Sequence, residues 1–252
     1  MKAIKTSAPA QPPRQQSGAP KVIAILPAYN AEKTLLKTYR AIPRAQVHEV
    51  ILVDDASTDQ TVAAAQAIDG LIVIRHEQNR GYGGNQKTCY REALKRNADI
   101  IVMIHPDYQY DPKYIPQLIR PIAEQKADLV IGSRFLGQDP RDSGMVWWRF
   151  WGNRLLTAAQ NWILKTNLSE YHSGYRAYSR SLLATIPFEN FAEDFAFDAQ
   201  MLTAAARRNA RLAEVAIPTR YTSESSSVSL PASIVYGVKT LLTLFPQPRR
   251  RP

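Results

Sequence analysis

Five short apolar runs punctuate the first half of the chain: Val22 to Leu26, Val50 to Val53, Leu71 to Ile74, Ile100 to Ile104 and Leu129 to Ile131. Apolar at consecutive positions and rich in β-branched residues, they read as strands buried on both faces, which is the pattern of a mostly parallel sheet. Helical spacing separates them over 31–41, 59–68, 85–96 and 113–125. Thr58 or Asp59 is placed to cap the second helix, and Asp111 with Pro112 suits the start of the fourth. The alternation is that of a doubly wound α/β fold.

Beyond Gly132 the pattern is less regular. An aromatic and basic segment from Trp147 to Trp162 reads as a helix, and Trp147, Trp151 and Trp162 with Leu155 and Leu156 suggest that it is packed into the protein. A turn around Ser173-Gly174, a helix near 195–208, a strand near 212–217 and a polar loop over 223–229 follow. From Ser233 to Phe245 one helical side carries Ile234, Val235, Val238, Leu241, Leu242 and Phe245. Such a stripe commonly packs on a core. With Arg249, Arg250 and Arg251 just beyond, a helix lying in a membrane interface is the alternative. The organisation expected is a disordered leader over 1–20, a catalytic domain over 21–230, and an amphipathic helix with a basic tail over 231–252.

Composition narrows this picture. With 252 residues, 45% of them apolar, the chain suits one α/β domain with a large core. The formal charge is +10, but three basic residues lie in the leader and three arginines in the tail, leaving +4 for 21–248. Terminal basicity suits an anionic membrane surface, a nucleic acid or a merely solvated tail. Cys89, the single cysteine, excludes an internal disulfide and lacks companions for a zinc site, so helix packing is its expected role. Neither a signal peptide nor a run of roughly 20 apolar residues is present. A cytoplasmic protein is expected, with peripheral contact at the inner membrane face.

In an open parallel sheet, ligands bind beyond the carboxyl ends of the strands. The first run ends in Pro27-Ala28-Tyr29-Asn30-Ala31-Glu32, the second in Asp54-Asp55-Ala56-Ser57-Thr58-Asp59, the fourth in His105-Pro106-Asp107-Tyr108-Gln109-Tyr110-Asp111. Carboxylates gathered at neighbouring strand ends repel unless a cation, hydroxyls or backbone donors compensate, as at a sugar-nucleotide and metal site. Taken singly, Asp54 and Asp55 are equally explained as turn or cap residues, and Asp59 as a cap. The loop Asn79-Arg80-Gly81-Tyr82-Gly83-Gly84-Asn85 opens a helix where backbone N–H groups can meet phosphate. Gln86 stands where a dinucleotide fingerprint needs its third glycine and where a P-loop needs the glycine before lysine, so neither motif applies.

Pro27-Ala28-Tyr29-Asn30 with Glu32, Val53-Asp54-Asp55-Ala56-Ser57-Thr58-Asp59 and Asn79-Arg80-Gly81, in this order and spacing, resemble the family-2 glycosyltransferases. Gly132-Ser133-Arg134 and Ser173-Gly174-Tyr175-Arg176 are similar to the dolichyl-phosphate-mannose-synthase and bacterial polyprenyl-phosphate subgroup. The resemblance covers about 21–222 and implies an A-type glycosyltransferase fold with a Rossmann-like sheet. It implies a nucleotide site made by Pro27, Ala28, Tyr29, Glu32, Asp54, Asp55, Arg80 and Gly81. It further implies a divalent metal, Mg2+ or Mn2+, on Asp107 with Gln109 close by. Arg134 with Arg149 or Arg154 would take the acceptor phosphate, and Arg176 falls in a segment assigned to the same side. The chain departs from the family's Asp-x-Asp at the fourth strand, where His105 replaces the first aspartate. His105 is then a metal ligand, a sugar contact or a packing residue.

The reaction implied is inverting displacement at the anomeric carbon of a UDP- or GDP-linked sugar. A polyprenyl-phosphate acceptor is already ionised and needs arginines, not a strong base. A glycan hydroxyl would need a carboxylate, for which Asp198 is the first candidate and Glu193 and Asp194 are others. The rival readings are a sugar-nucleotide-binding protein without transferase activity and a basic nucleic-acid module. The latter lacks any recognisable motif, so no nucleic-acid partner is expected.

Overall fold

The computed structural model describes residues 18–137, 139–218 and 230–245. Most of the expected leader, the polar loop at 223–229 and the arginine tail lie outside the described residues. The strands are β1 (Val22–Ala28), β2 (Glu49–Asp54), β3 (Leu71–Arg75), β4 (Ile100–Met103), β5 (Leu129–Ser133), β6 (Arg176–Ser179) and β7 (Leu212–Ala216). The helices are α1 (Leu35–Ala41), α2 (Thr61–Gln66), α3 (Gly81–Lys95), α4 (Ile115–Ala123), α5 (Trp147–Leu164), α6 (Arg180–Leu183), α7 (Ala196–Ala206) and α8 (Leu230–Thr243).

One sheet of order β3-β2-β1-β4-β6-β5-β7 organises the chain. Its β3, β2, β1 and β4 are mutually parallel, as the apolar runs predict. β6 enters antiparallel between β4 and β5, and β7 closes the edge parallel to β5. Alternation along β1 shows why the runs have no polar face: Ile23 and Ile25 join one buried cluster with Cys89, Tyr90 and Phe197, while Val22, Ala24 and Leu26 join another with Leu35, Leu118 and Ile122. Helices α3 and α7 therefore cover one face of the sheet, and α1 and α4 the other.

One strand was not foreseen, and one expectation fails. β6 has no apolar run, because it alternates Arg176 and Tyr178 toward one cluster with Ala177 toward the other. α5 is turned inside out: its buried residues are Asn153, Thr157 and Gln160, whereas Trp147, Trp151, Leu155 and Trp162 are exposed, Trp162 by 83%. The tryptophans thus do not make a packed helix. α8 behaves similarly, leaving Ile234, Val235, Val238, Leu242 and Phe245 exposed while Thr240 and Leu244 are buried. Asp111 does cap the turn into α4, accepting from the Lys113 amide, and Cys89 is buried as expected.

Candidate active site

The carboxyl ends of β1, β2, β4 and β5 open into one cleft of roughly 1010 Å³, walled on the far side by α5 and α8. Its first end is built on the β1–β2 junction. The Asp55 amide donates to Ala28 O at 2.9 Å, and the buried Asn85 of α3 donates to both Ala28 O (3.2 Å) and Val53 O (3.0 Å), tying the two strand ends together. Asn30 turns out of β1 at φ 50°. That turn is held by Asn30 N to Ser57 Oγ (2.9 Å) and Thr58 N to Asn30 Oδ1 (2.9 Å). Pro27, Ala28, Tyr29, Asp55 and Gly81 all line the cleft here, with the Tyr29 ring exposed at its mouth.

Consecutive residues at a strand end point to opposite faces, and this separates the two aspartates. Asp55 faces the cleft with Oδ1 fixed by His76 Nδ1 (2.7 Å) and the Arg80 amide (2.8 Å), leaving Oδ2 toward a ligand. Asp54 is fully buried and accepts from the Ser57 amide at 3.0 Å, so it forms the turn and does not line the cleft. Glu32 also stands outside, accepting from the Gln60 amide at 2.8 Å, and Arg80 contributes its backbone while its side chain is exposed off the lining.

The glycines after Arg80 serve packing more than phosphate. Gly81 has φ +79°, and a Cβ on it would lie 2.6 Å from Glu193 O. A Cβ on Gly83 would lie 2.4 Å from Ala192 O, while its amide donates to Glu193 O at 2.8 Å. The first turn of α3 is therefore pressed against the 192–193 backbone, a contact that side chains would prevent.

At the end of β4, His105, Asp107 and Gln109 all face the cleft. Asp107 Oδ1 accepts from the Gln109 amide at 2.9 Å, which fixes the carboxylate. His105 Nε2 lies 3.0 Å from the Tyr82 hydroxyl, which donates to Asp198 Oδ2 at 2.7 Å. The donor set of one carboxylate, one imidazole and one amide fits a divalent ion that takes its remaining ligands from a diphosphate. No cluster of three or more acidic, histidine or cysteine side chains able to hold an ion by themselves occurs among the described residues.

Arg134, just past the end of β5, and Arg149 of α5 also line the cleft. Arg134 is gripped by the fully buried Glu170, through its amide (2.8 Å) and Nε (2.8 Å) and a further contact from Nη2, and Asn153 of α5 donates to the same carboxylate at 3.1 Å. Burial works against the charge on Glu170, but the Arg134 guanidinium and its hydrogen bonds hold the carboxyl below its ordinary value. His172, bonded through Nδ1 to the Tyr236 hydroxyl of α8 at 2.9 Å, is pushed down to about 4 by burial and is a neutral imidazole near pH 7.

Three expected site residues stand elsewhere. Arg154 is exposed and off the lining, its guanidinium 6.0 Å from the Phe135 ring centroid. Arg176 is wholly buried, with Nε on Ser173 O (2.8 Å), Nη1 on Asp198 O (2.9 Å) and Nη2 on Tyr171 O (2.9 Å), so its donors are spent on backbone and not on an acceptor. Asp198 does not line the cleft and is tied to Tyr82, Gln86 and Arg176. It is therefore not placed as a base for an incoming hydroxyl. Sequence reasoning missed Tyr82, His76, Glu170, His172 and Tyr236. Of these, Tyr82 sat inside the marked glycine loop and Tyr236 inside the marked helical stretch from Ser233 to Phe245; the other three lay in no marked segment.

Comparison with known proteins agrees with this geometry. The family model for glycosyl transferase family 2 matches residues 23–186. An undecaprenyl-phosphate mannosyltransferase of Micrococcus luteus is 30% identical over 211 residues, 78% of this chain and 82% of that protein. A UDP-N-acetylglucosamine–dolichyl-phosphate N-acetylglucosaminyltransferase of Methanococcus voltae is 28% identical over 240 residues, 88% of this chain and 94% of that protein. Among solved structures, glucosyl-3-phosphoglycerate synthase of Mycobacterium tuberculosis, in complex with Mn2+, UDP and phosphoglyceric acid, superposes with a TM-score of 0.69 at 25% identity, over 89% of this chain and 77% of that one. The sheet is that of the A-type glycosyltransferases, and the chain belongs to glycosyl transferase family 2.

Proposed function

We propose that this enzyme moves a hexose from a UDP-linked donor to the phosphate of a polyprenyl phosphate, with inversion at the anomeric carbon, while resting on a membrane surface. The observation that carries the acceptor reading is the cleft's position between two unlike walls. Strand ends with Asp55 and Asp107 form one side, and Arg149 of α5, with Arg134 past the end of β5 joined to α5 through Glu170 and Asn153, forms the other, beside helices whose outer sides are apolar. A lipid phosphate presents an anionic head on a greasy chain, and the two features match it. The donor base is supported by the UDP held in the structurally similar synthase.

Asp55, fixed by His76 and the Arg80 amide, offers one free carboxylate oxygen to the hydroxyls or N–H groups of the nucleoside, and Tyr29 offers a ring face for the base. Asp107 with Gln109 would hold a divalent ion, whose charge offsets that developing on the departing nucleoside diphosphate. Arg134 and Arg149 orient the acceptor phosphate. Its oxygen is ionised near neutral pH and attacks without transferring a proton, so no base is required, in accord with the displacement of Asp198 from the cleft. Glu170 keeps Arg134 extended toward the cleft before the acceptor arrives.

The test is transfer of radiolabelled sugar from UDP-glucose, UDP-N-acetylglucosamine and GDP-mannose to undecaprenyl phosphate and to soluble glycans. Label in the organic phase, dependent on the lipid phosphate, is expected. Label confined to glycans, or nucleotide release that no lipid phosphate stimulates, would refute the acceptor assignment.

A further inference from the structure

His105 occupies the place of the first aspartate in the family's metal motif, and the hydrogen bonds behind it decide which of its nitrogens can bind a ligand. The chain of contacts begins at Arg176, whose guanidinium lies 3.8 Å from Asp198 Oδ1 and donates to the Asp198 carbonyl at 2.9 Å. Gln86 Nε2 donates to the same Oδ1 at 3.1 Å. With donors on both of its oxygens, Asp198 serves as an acceptor. Its Oδ2 receives the Tyr82 hydroxyl proton at 2.7 Å. A phenol has one proton to give. With that proton committed to Asp198, the Tyr82 oxygen faces His105 Nε2 at 3.0 Å as an acceptor.

His105 therefore carries its hydrogen on Nε2 and its lone pair on Nδ1. Among the described residues Nδ1 has no protein partner, while the ring lines the cleft beside Asp107. The ring is also locked in place. It stacks on Tyr82 at 5.4 Å between centroids, and a Cβ on Gly174 would come within 2.9 Å of Nε2, so the Ser173-Gly174 turn leaves room for an imidazole.

We infer that Arg176, Asp198 and Tyr82 form a positioning relay that fixes His105 as an Nδ1 ligand for the divalent ion, making the site selective for manganese over magnesium. The inference rests on the donor-site reading above. Magnesium takes oxygen ligands and sheds water reluctantly, whereas imidazole nitrogen suits the later first-row ions. A buried partner that sets a histidine's tautomer is the usual means of making it a dependable ligand.

The experiment uses the full chain with Mn2+ and UDP, or GDP if that is the nucleotide it takes. Pulsed electron paramagnetic resonance of the bound Mn2+ should show modulation from a directly coordinated imidazole nitrogen. His105→Asp should abolish the modulation and lower the Mn2+ to Mg2+ affinity ratio by about tenfold. Tyr82→Phe, checked by circular dichroism for an unchanged fold, should weaken Mn2+ binding by about tenfold and leave Mg2+ binding nearly unchanged. A manganese–nucleotide complex without nitrogen modulation would overturn the relay but leave the donor reading standing. Modulation that survives in His105→Asp would assign the nitrogen to another histidine and also overturn it. Failure of the wild-type chain to bind either nucleotide with either ion would overturn both.

Discussion

Glu170→Gln isolates the cost of holding Arg134 ready. The substitution preserves shape and one carbonyl acceptor, but it removes the charge that Arg134 and Asn153 address and leaves a nearly buried guanidinium without its counter-ion. Breaking a buried pair from one side costs about 3 to 5 kcal/mol. Glu170 is fully buried, whereas the Arg134 side chain keeps 12% exposure toward the cleft, where water can partly replace the lost partner. The expected loss is therefore at the lower end, about 3 kcal/mol, or roughly 6–12 °C in melting temperature for a domain of this size. Calorimetric and urea unfolding at pH 7 would measure it. The pH dependence supplies a second reading. Because the folded Glu170 carboxyl lies below its ordinary value, its contribution is fully present above the unfolded pKa and disappears as pH falls through the folded one. The gap between wild type and variant should then narrow on acidification below about pH 4.5. Inorganic phosphate, binding beside the Arg134 guanidinium, should raise the melting temperature of the variant more than that of the wild type. A loss under about 1 kcal/mol at pH 7, with no narrowing in acid, would refute the argument that Glu170 bears the Arg134 charge.

Asp107→Ala should abolish metal-dependent donor turnover while leaving the fold intact, checked by nucleotide-sugar consumption alongside circular dichroism. Tyr29→Ala should weaken nucleoside diphosphate binding by about fivefold in calorimetry, the equivalent of one lost aromatic contact near 1 kcal/mol. Gly83→Ala should destabilise the protein by about 1–3 kcal/mol, since its Cβ would meet Ala192 O at 2.4 Å, with urea unfolding as the measurement. Trp151→Glu combined with Trp162→Glu should reduce sedimentation with anionic phospholipid vesicles without lowering UDP affinity.

What could be read in advance follows from how each element is buried. β1 to β5 were legible because both their faces pack on helices, so polar residues are excluded along each run. β6 was not, since Arg176 fills an interior position by spending its guanidinium on carbonyls that no sequence pattern reveals. For the same reason Arg176 looked like an acceptor ligand. The strand ends announced where ligands bind, and Tyr29, Asp55, Asp107 and Arg134 do meet in one cleft. The partition between Asp54 and Asp55 was out of reach, because it depends on the residue at which β2 stops. The glycines after Arg80 were visible, but their cause, the backbone at Ala192 and Glu193, is more than a hundred residues away.

The expectation that failed most fully, the packed tryptophan helix, constrains function more than those that held. Trp147, Trp151, Leu155 and Trp162 are spaced one or two turns apart and form one stripe on α5, and Asn153, Thr157 and Gln160 form the opposite one. A helix in a water-soluble fold gains stability by burying the first stripe and exposing the second. Here the order is reversed, and α8 adds a second apolar surface from Ile234 to Phe245. Asn153 has a reason to face inward, because it steadies the carboxylate that grips Arg134. The tryptophans have no corresponding reason to face outward in water, and an exposed apolar surface of this kind calls for a covering partner. Indole rings at the headgroup level of a bilayer would supply that cover. The same contact would bring lipid phosphates to the mouth of a cleft whose outer wall is α5 and α8 themselves. On the proposed function, acceptor recognition and surface attachment would share two helices, so Arg134 and Arg149 would need to discriminate only the head of the lipid, not hold its chain.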